Sequence, residues 1–256
     1  MHVLVTGASS GIGEAIAAAY GESGARLTVV ARREDRLIAL KDRLGPKSDV
    51  HVVAADLSDP DVVPSVVERA VAAHGVVDVL VNNAGVQIVD TYTGAEARAV
   101  RDLLHVNLVS PMLLTHAVLD DMKSRRSGAI VHVASVAAYA APPGMAAYGA
   151  SKAGIAAFSE VLAGELRGSG VHVVTVYPGP VKTAMGDYGT ASYEKSWTVD
   201  AQPWGTPEGL ARRVVDAVKR KRGRVTYPRA YAPVRHVATA VRPVLDALSP
   251  PLKGAR

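Results

Sequence analysis

The sequence predicts an α/β fold, a doubly wound parallel sheet of about seven strands with helices on both faces. Three observations carry this. Short valine-rich runs alternate with longer stretches of helical spacing along the chain. The first run turns directly into a glycine-rich segment and then a helix. Distinctive polar residues also recur at the carboxyl ends of successive runs, the edge where open parallel sheets bind ligands.

Val3-Leu4-Val5 reads as a buried strand. It passes into Thr6-Gly7-Ala8-Ser9-Ser10-Gly11-Ile12-Gly13, followed by an alanine-rich helix over Glu14 to Tyr20. In this setting Gly7 allows a tight turn, Gly11 lets backbone approach a pyrophosphate, and Gly13 allows close helix–strand packing. The helix start offers free N–H groups to the anion. A second strand runs from Arg26 to Ala31, with Arg32 and Arg33 next. A carboxylate at this strand end would suit a ribose 2′-OH, whereas arginine suits a 2′-phosphate. The pattern therefore predicts NADP(H) as the cofactor.

A helix over 34–44 ends at Gly45-Pro46, and Val50 to Ala54 forms a third strand with Asp56 and Leu57 beyond it. Pro60 opens a helix to about His74, and Val77 to Val81 is a fourth strand ending in Asn82-Asn83-Ala84-Gly85. A long helix over 98–122 carries Asn107. Ala129 to Ala134 is the fifth strand, with Ser135 at its end, and a helix over 146–166 carries Tyr148 and Lys152. The sixth strand, Val171 to Val176, leads into Pro178-Gly179-Pro180-Val181-Lys182-Thr183. A helix over 207–221 and a last strand over 224–227 complete the sheet.

Tyr148 and Lys152 stand four apart, so a helix projects both from one face. A phenol alone is a poor base, with a pKa near 10. An ammonium beside it favours the phenolate, and a positively charged nicotinamide nearby would push the same way. Bringing the phenol down to about 7 requires roughly 4 kcal/mol of differential stabilisation. The expectation is a proton donor or acceptor usable at neutral pH.

Composition narrows the class. The 256 residues are 48% hydrophobic, enough for a sizeable core in one domain over 1–256, and no linker or repeat divides them. There is no cysteine, which excludes disulfides and thiolate metal sites. The eight histidines show no metal-ligand spacing, and His132 and His172 fall in strand-like runs. No apolar run reads as long enough to span a bilayer, and no basic-then-apolar leader precedes the first strand, so a cytoplasmic protein is expected. The net charge of +5 is uneven: residues 208–256 hold twelve Lys/Arg against three Asp/Glu, the remainder 17 against 21.

With these residues in place, the sequence closely resembles the short-chain dehydrogenase/reductase family. It shares Thr6 to Gly13, Asp56-Leu57, Asn82 to Gly85, Asn107, Ser135, Tyr148-x-x-x-Lys152 and Pro178 to Thr183, in the family's order and spacing. The resemblance covers residues 3 to about 183, and more loosely to Tyr227. It implies a Rossmann-type sheet and hydride transfer between nicotinamide and a carbonyl or secondary alcohol. Tyr148 would be the general acid/base, and Lys152 would lower its pKa and hold the nicotinamide ribose. Ser135 would bind the substrate oxygen, and Asn107 would anchor a water joining Lys152 to solvent. Gly7, Ser9, Ser10, Gly11, Ile12 and Gly13 would form the phosphate turn. Asp56 and Leu57 would contact adenine, with Asn83, Ala84 and Gly85 along the adenosine. Pro178, Gly179, Val181 and Thr183 would fix the carboxamide. Relatives pair through the two long helices, which implies a homodimer or homotetramer. The alternatives are an NAD-dependent alcohol dehydrogenase and a non-catalytic NADP-binding regulator.

Two stretches are particular to this chain. Residues 184–206 are expected to form a flexible lid; they hold both tryptophans, Trp197 and Trp204, with Tyr188 and Tyr193. The aromatics either admit a hydrophobic or ring-containing substrate or tie the loop to the core. The basic tail, 228–256, carries Val234, Val237, Val241, Val244, Leu245 and Leu248 at helical spacing, and Pro243 should kink or end that helix. Packing on the core ranks ahead of a subunit contact, and that ahead of an anionic membrane surface. No reader motif or interleaved aromatics suggest nucleic acid.

Overall fold

The valine runs form seven strands: β1 (His2–Thr6), β2 (Arg26–Ala31), β3 (Val50–Ala54), β4 (Val79–Asn82), β5 (Gly128–Val133), β6 (Val171–Pro178) and β7 (Arg224–Tyr227). In this computed structural model, which describes residues 1–253 apart from the side chains of Thr198, Val199, Thr239, Val241, Leu245 and Leu248, they make one sheet. Its order is β3-β2-β1-β4-β5-β6-β7, and every pairing is parallel. Val3, Leu4 and Val5 on β1 are all fully buried. A parallel strand covered on both faces needs a continuous apolar run rather than an alternating one.

The helices split between the two faces. Residues of α1 (Gly11–Glu22), α2 (Glu34–Leu44) and α10 (Pro207–Lys219), among them Ile16, Leu37 and Val214, pack on Val3 and Val5. Residues of α3 (Val63–His74), α5 (Ser110–Ser124) and α7 (Ala146–Glu165), among them Val66, Leu114 and Leu162, pack on Leu4 and Leu80. Successive strands step outward from β1 to β3, then jump back to β4 and step the other way. The crevice at the carboxyl ends of β1 and β4 is the switch point where such sheets bind ligands.

Several expectations need correction. The first helix begins at Gly11, inside the glycine motif, rather than at Glu14. The long helical stretch expected over 98–122 is present without a break, and it contains a π-helical turn (His105–Val109) between α4 (Ala97–Leu104) and α5. Together, Ala97–Ser124 is long and apolar enough by composition to cross a membrane, contrary to the sequence reading. It instead lies along the sheet, with Leu103, Leu114, Val118 and Met122 in the core. The lid contains two short helices, α8 (Ala184–Ala191) and α9 (Trp197–Asp200), and a further short helix, α6 (Ala137–Ala140), follows Ser135.

Helix α11 (Val234–Leu248) runs through Pro243 instead of ending there. It packs against α6, and tertiary contact overrides the local preference. Of the expected apolar stripe, Val237 and Val244 are exposed, while Ala238 is buried. Val241, Leu245 and Leu248 lie outside the described side chains.

Candidate active site

A cleft of about 1250 Å³ opens along the carboxyl edge of the sheet, from the glycine turn to the lid and tail. At one end, Gly7 has φ +67°, and a Cβ there would fall 2.8 Å from Ala84 Cα. Only glycine fits a left-handed turn pressed this closely against neighbouring backbone. Gly11, at φ +60°, is left-handed as well, and a Cβ there would come 3.0 Å from the Thr183 side chain. Ser10 stands at the N-cap of α1, yet its side chain makes no capping hydrogen bond. The first-turn amides thus remain open toward the cleft, an arrangement suited to an anion.

The turn is braced from β4. Asn83 Nδ2 donates to the Thr6 carbonyl at 2.9 Å, and the Asn83 and Ala84 amides donate to Thr6 Oγ1 at 3.0 Å. Thr6 Oγ1 in turn donates to the Val81 carbonyl. These bonds hold Asn83, Ala84 and Gly85 beside the glycine turn.

The two arginines beyond β2 do different things. Arg33 Nη2 donates to Ser9 Oγ at 3.0 Å and to Ser10 Oγ at 2.8 Å. Arg32 reaches across to Asp56 at 3.8 Å, an exposed pair. Leu57 is buried next to it, and its carbonyl accepts from Ser110 Oγ at 2.8 Å.

At the other end of the cleft, Ser135, Tyr148 and Lys152 are all buried. Lys152 Nζ donates to the Val133 carbonyl at 2.9 Å and sits 5.8 Å from the Tyr148 ring centre. Burial holds its ammonium down at about 8. Burial also raises the Tyr148 phenol above its ordinary value, and a hydrogen bond with Ser135 opposes this only in part. In the protein without its cofactor, burial is thus the larger effect on this phenol. Ser135 Oγ also accepts from the Ala137 amide at 3.1 Å.

Asn107 lies in the π-helical turn. Its Oδ1 accepts from the Val86 amide at 2.8 Å, and its Nδ2 donates to the Val86 carbonyl and to Ser151 Oγ. A Cβ on Gly85 would come 3.4 Å from both Asn107 Oδ1 and Lys152 Nζ, so the absence of a side chain keeps this corner open. The extra residue of a π turn re-aims a side chain, and such turns recur at functional sites. Pro178, Gly179, Val181 and Thr183 line the wall between the two ends of the cleft. Thr183 caps α8 by accepting from the Gly186 amide at 3.1 Å.

The family model described as short chain dehydrogenase matches residues 1–193. The chain belongs to the short-chain dehydrogenase/reductase family. A short chain dehydrogenase of Pseudocercospora fijiensis is 40% identical over 190 residues, 72% of this chain and 60% of the relative's length. A dehydrogenase/reductase SDR family protein 7-like of Anopheles gambiae is 35% identical over 93% of this chain and 80% of its own. Among solved structures, a short-chain dehydrogenase from Sphingobium yanoikuyae in complex with NADPH superposes with a TM-score of 0.81. It is 30% identical, with 95% of this chain and 94% of that one covered.

The family's nicotinamide cofactor fits the residues present. The open first turn of α1, the side-chain-free cradle at Gly11 and the gap at Gly85 are what a dinucleotide laid along this edge requires. Apart from Gly13 and Asn107, the sequence positions expected to serve the short-chain dehydrogenase chemistry border this one cleft; Gly13 packs against the Gly7 carbonyl and Asn83, and Asn107 stands behind Val86. Sequence reasoning missed the tail. Arg242, Asp246, Ser249 and Pro250 line the cleft too, although they lie 90 or more residues beyond Lys152. Cleft-lining Tyr231 was missed as well; its ring lies against Gly179, where a Cβ would clash with it. No motif marks these positions, since they follow the last strand.

Proposed function

We propose that the protein is an NADP(H)-dependent carbonyl reductase acting on ketones that carry apolar or ring-bearing groups. The observation that carries the reading is the convergence of buried Ser135, Tyr148 and Lys152 at one end of a cleft whose other end is topped by Arg33. The nicotinamide, when bound, supplies the hydride. Tyr148 hands its phenolic proton to the carbonyl oxygen. The buried phenol is protonated at neutral pH, the form that can donate. Ser135 hydrogen-bonds the same oxygen and stabilises the charge that grows there. With its pKa at about 8, Lys152 is largely protonated at pH 7 and favours the phenolate left behind. Asn107 holds Val86 and Gly85 in place beside it.

Support for NADP(H) over NAD comes from Arg33. Its guanidinium and the hydroxyls of Ser9 and Ser10 form a donor cluster at the end of β2, where a 2′-phosphate would lie. The apolar wall of Ala137, Ala141, Met145 and Tyr193 supports an apolar substrate. Met112 and Leu113 on α5 and Val161 on α7 are exposed apolar side chains, which supports pairing through these helices into a dimer or tetramer. The test is loss of reduced-nicotinamide absorbance across small aldehydes, aromatic ketones, acyl thioesters and steroid ketones, with NADPH and NADH in parallel. Turnover of apolar ketones with NADPH is expected. Turnover with NADH alone would overturn the cofactor assignment and leave the chemistry standing.

A further inference from the structure

We propose that the segment Ser249–Lys253 is a wall of the substrate cavity latched to the lid, with Leu252 as the positioning residue that sets it. The wall limits the bulk of the group flanking the carbonyl. The inference rests on the carbonyl-reductase reading of the same site.

Leu252 packs on a cluster of Val89, Leu103, Ala137, Met145, Tyr148 and Tyr193. Tyr148 is the proposed proton donor, so this leucine from the tail shares a cluster with the reacting end of the cleft. The opposite loop is shaped to receive it. Gly144 has φ +90°, and a Cβ there would fall 2.7 Å from both Leu252 methyl carbons. The contact thus needs both the left-handed backbone and the missing side chain.

The same segment is tied to the lid by backbone. Tyr193 and Leu252 form an antiparallel bridge. The Glu194 amide donates to the Pro251 carbonyl at 2.9 Å, and the Lys253 amide donates to the Ser192 carbonyl at 3.1 Å. Lys253 Nζ donates to the Ala191 carbonyl at 2.7 Å, a cation at the C-terminal end of α8. Tyr193 then crosses to the third party, its hydroxyl donating to the Pro143 carbonyl at 2.8 Å. Lid, tail and the 142–145 loop therefore brace one another. Ser249 and Pro250 line the cleft directly. Pro250 and Pro251 fix φ at consecutive positions, which makes the wall stiff. A lid held this way opens only if the tail goes with it.

The test compares Leu252→Ala with the parent at saturating NADPH, using 2-butanone and benzophenone as the small and large ketone. Leu252→Ala should raise kcat/KM for benzophenone relative to 2-butanone at least about tenfold, the scale of a methylene-sized change in an apolar pocket. NADPH affinity should stay within about twofold. Leu252→Met keeps the volume and should return the parent ratio. Hydrogen exchange supplies a readout independent of turnover: Leu252→Ala should speed exchange in 142–148 and 185–205, while β1 and α1 stay protected. If the parent reduces neither ketone, the underlying reading fails, and the exchange result alone decides the latch. A ratio unchanged within twofold in a folded, NADPH-binding Leu252→Ala overturns the wall. So does unchanged exchange in both segments.

Discussion

The two ends of the cleft are built on different principles. At the glycine turn, the shape is set mainly by close-packed backbone: Gly7 pressed on Ala84, the Asn83 and Ala84 amides held by the Thr6 hydroxyl, and an open helix start. At the lid it is set by side chains carried by short helices and a tail, and the aromatics there are divided. Tyr193 is buried and Trp204 lies half-buried against Gly186, whereas Trp197 is 70% exposed and Tyr188 49%. The first region tolerates little change, because moving any piece breaks several close contacts and hydrogen bonds. The second can be altered piecemeal, which is how one scaffold serves many substrates.

Acid is the broadest way to probe the contrast. His132 is fully buried between Ser159 Oγ and Thr115 Oγ1, each at 3.0 Å, and so joins α7 to α5. Burial holds its pKa at about 3, below the ordinary 6.5. The unfolded chain therefore takes up this proton first. The stabilisation is complete above pH 6.5 and is lost as the pH falls toward 3. The full loss is on the order of 5 kcal/mol at about 1.4 kcal/mol per unit. Chemical denaturation at stepped pH should show it, and the two ends should fail together. NADPH binding outlasting the melting of the lid would break that link.

Tyr148→Phe comes next. It should lower kcat by about 10²- to 10⁴-fold, the usual worth of a positioned general acid. NADPH affinity, read by fluorescence titration, should barely change. Arg33→Ala should do the reverse, weakening NADPH by about 10- to 100-fold, as the loss of charge-assisted hydrogen bonds implies. NADH binding and kcat should hold steady. Smallest of all, Trp197→Ala should shift stability by no more than about 0.5 kcal/mol in a thermal melt, as expected of an exposed side chain. A larger loss would mean that the lid's outer aromatics support the fold.

The cofactor end was legible in the sequence because its residues sit at strand ends, and strand ends follow from where valine runs stop. The same logic placed Asn83, Ser135 and Pro178 on one edge. It favoured Arg32, which directly follows Ala31, but adjacent residues leaving a strand face opposite ways, and packing gives the serines to Arg33 and Asp56 to Arg32. Nor could it find the π turn around Asn107, where one extra residue leaves the apolar pattern of the helix intact. Pro243 argued for a break that contact with α6 overrides. The phenol of Tyr148 was expected to be lowered by Lys152 and a positively charged nicotinamide together; in the protein by itself burial raises it, a property of the whole fold that no motif carries.

The strand order also sets a timetable for synthesis. Central strand β1 has both neighbours, β2 and β4, as soon as Asn82 has been made. Leu252 follows Asn82 by 170 residues, about 10–30 s of translation at 5–20 residues per second. For that interval the nascent protein holds the makings of a nucleotide site with no finished chamber for a second reactant. A dinucleotide bound early would stabilise the half already formed.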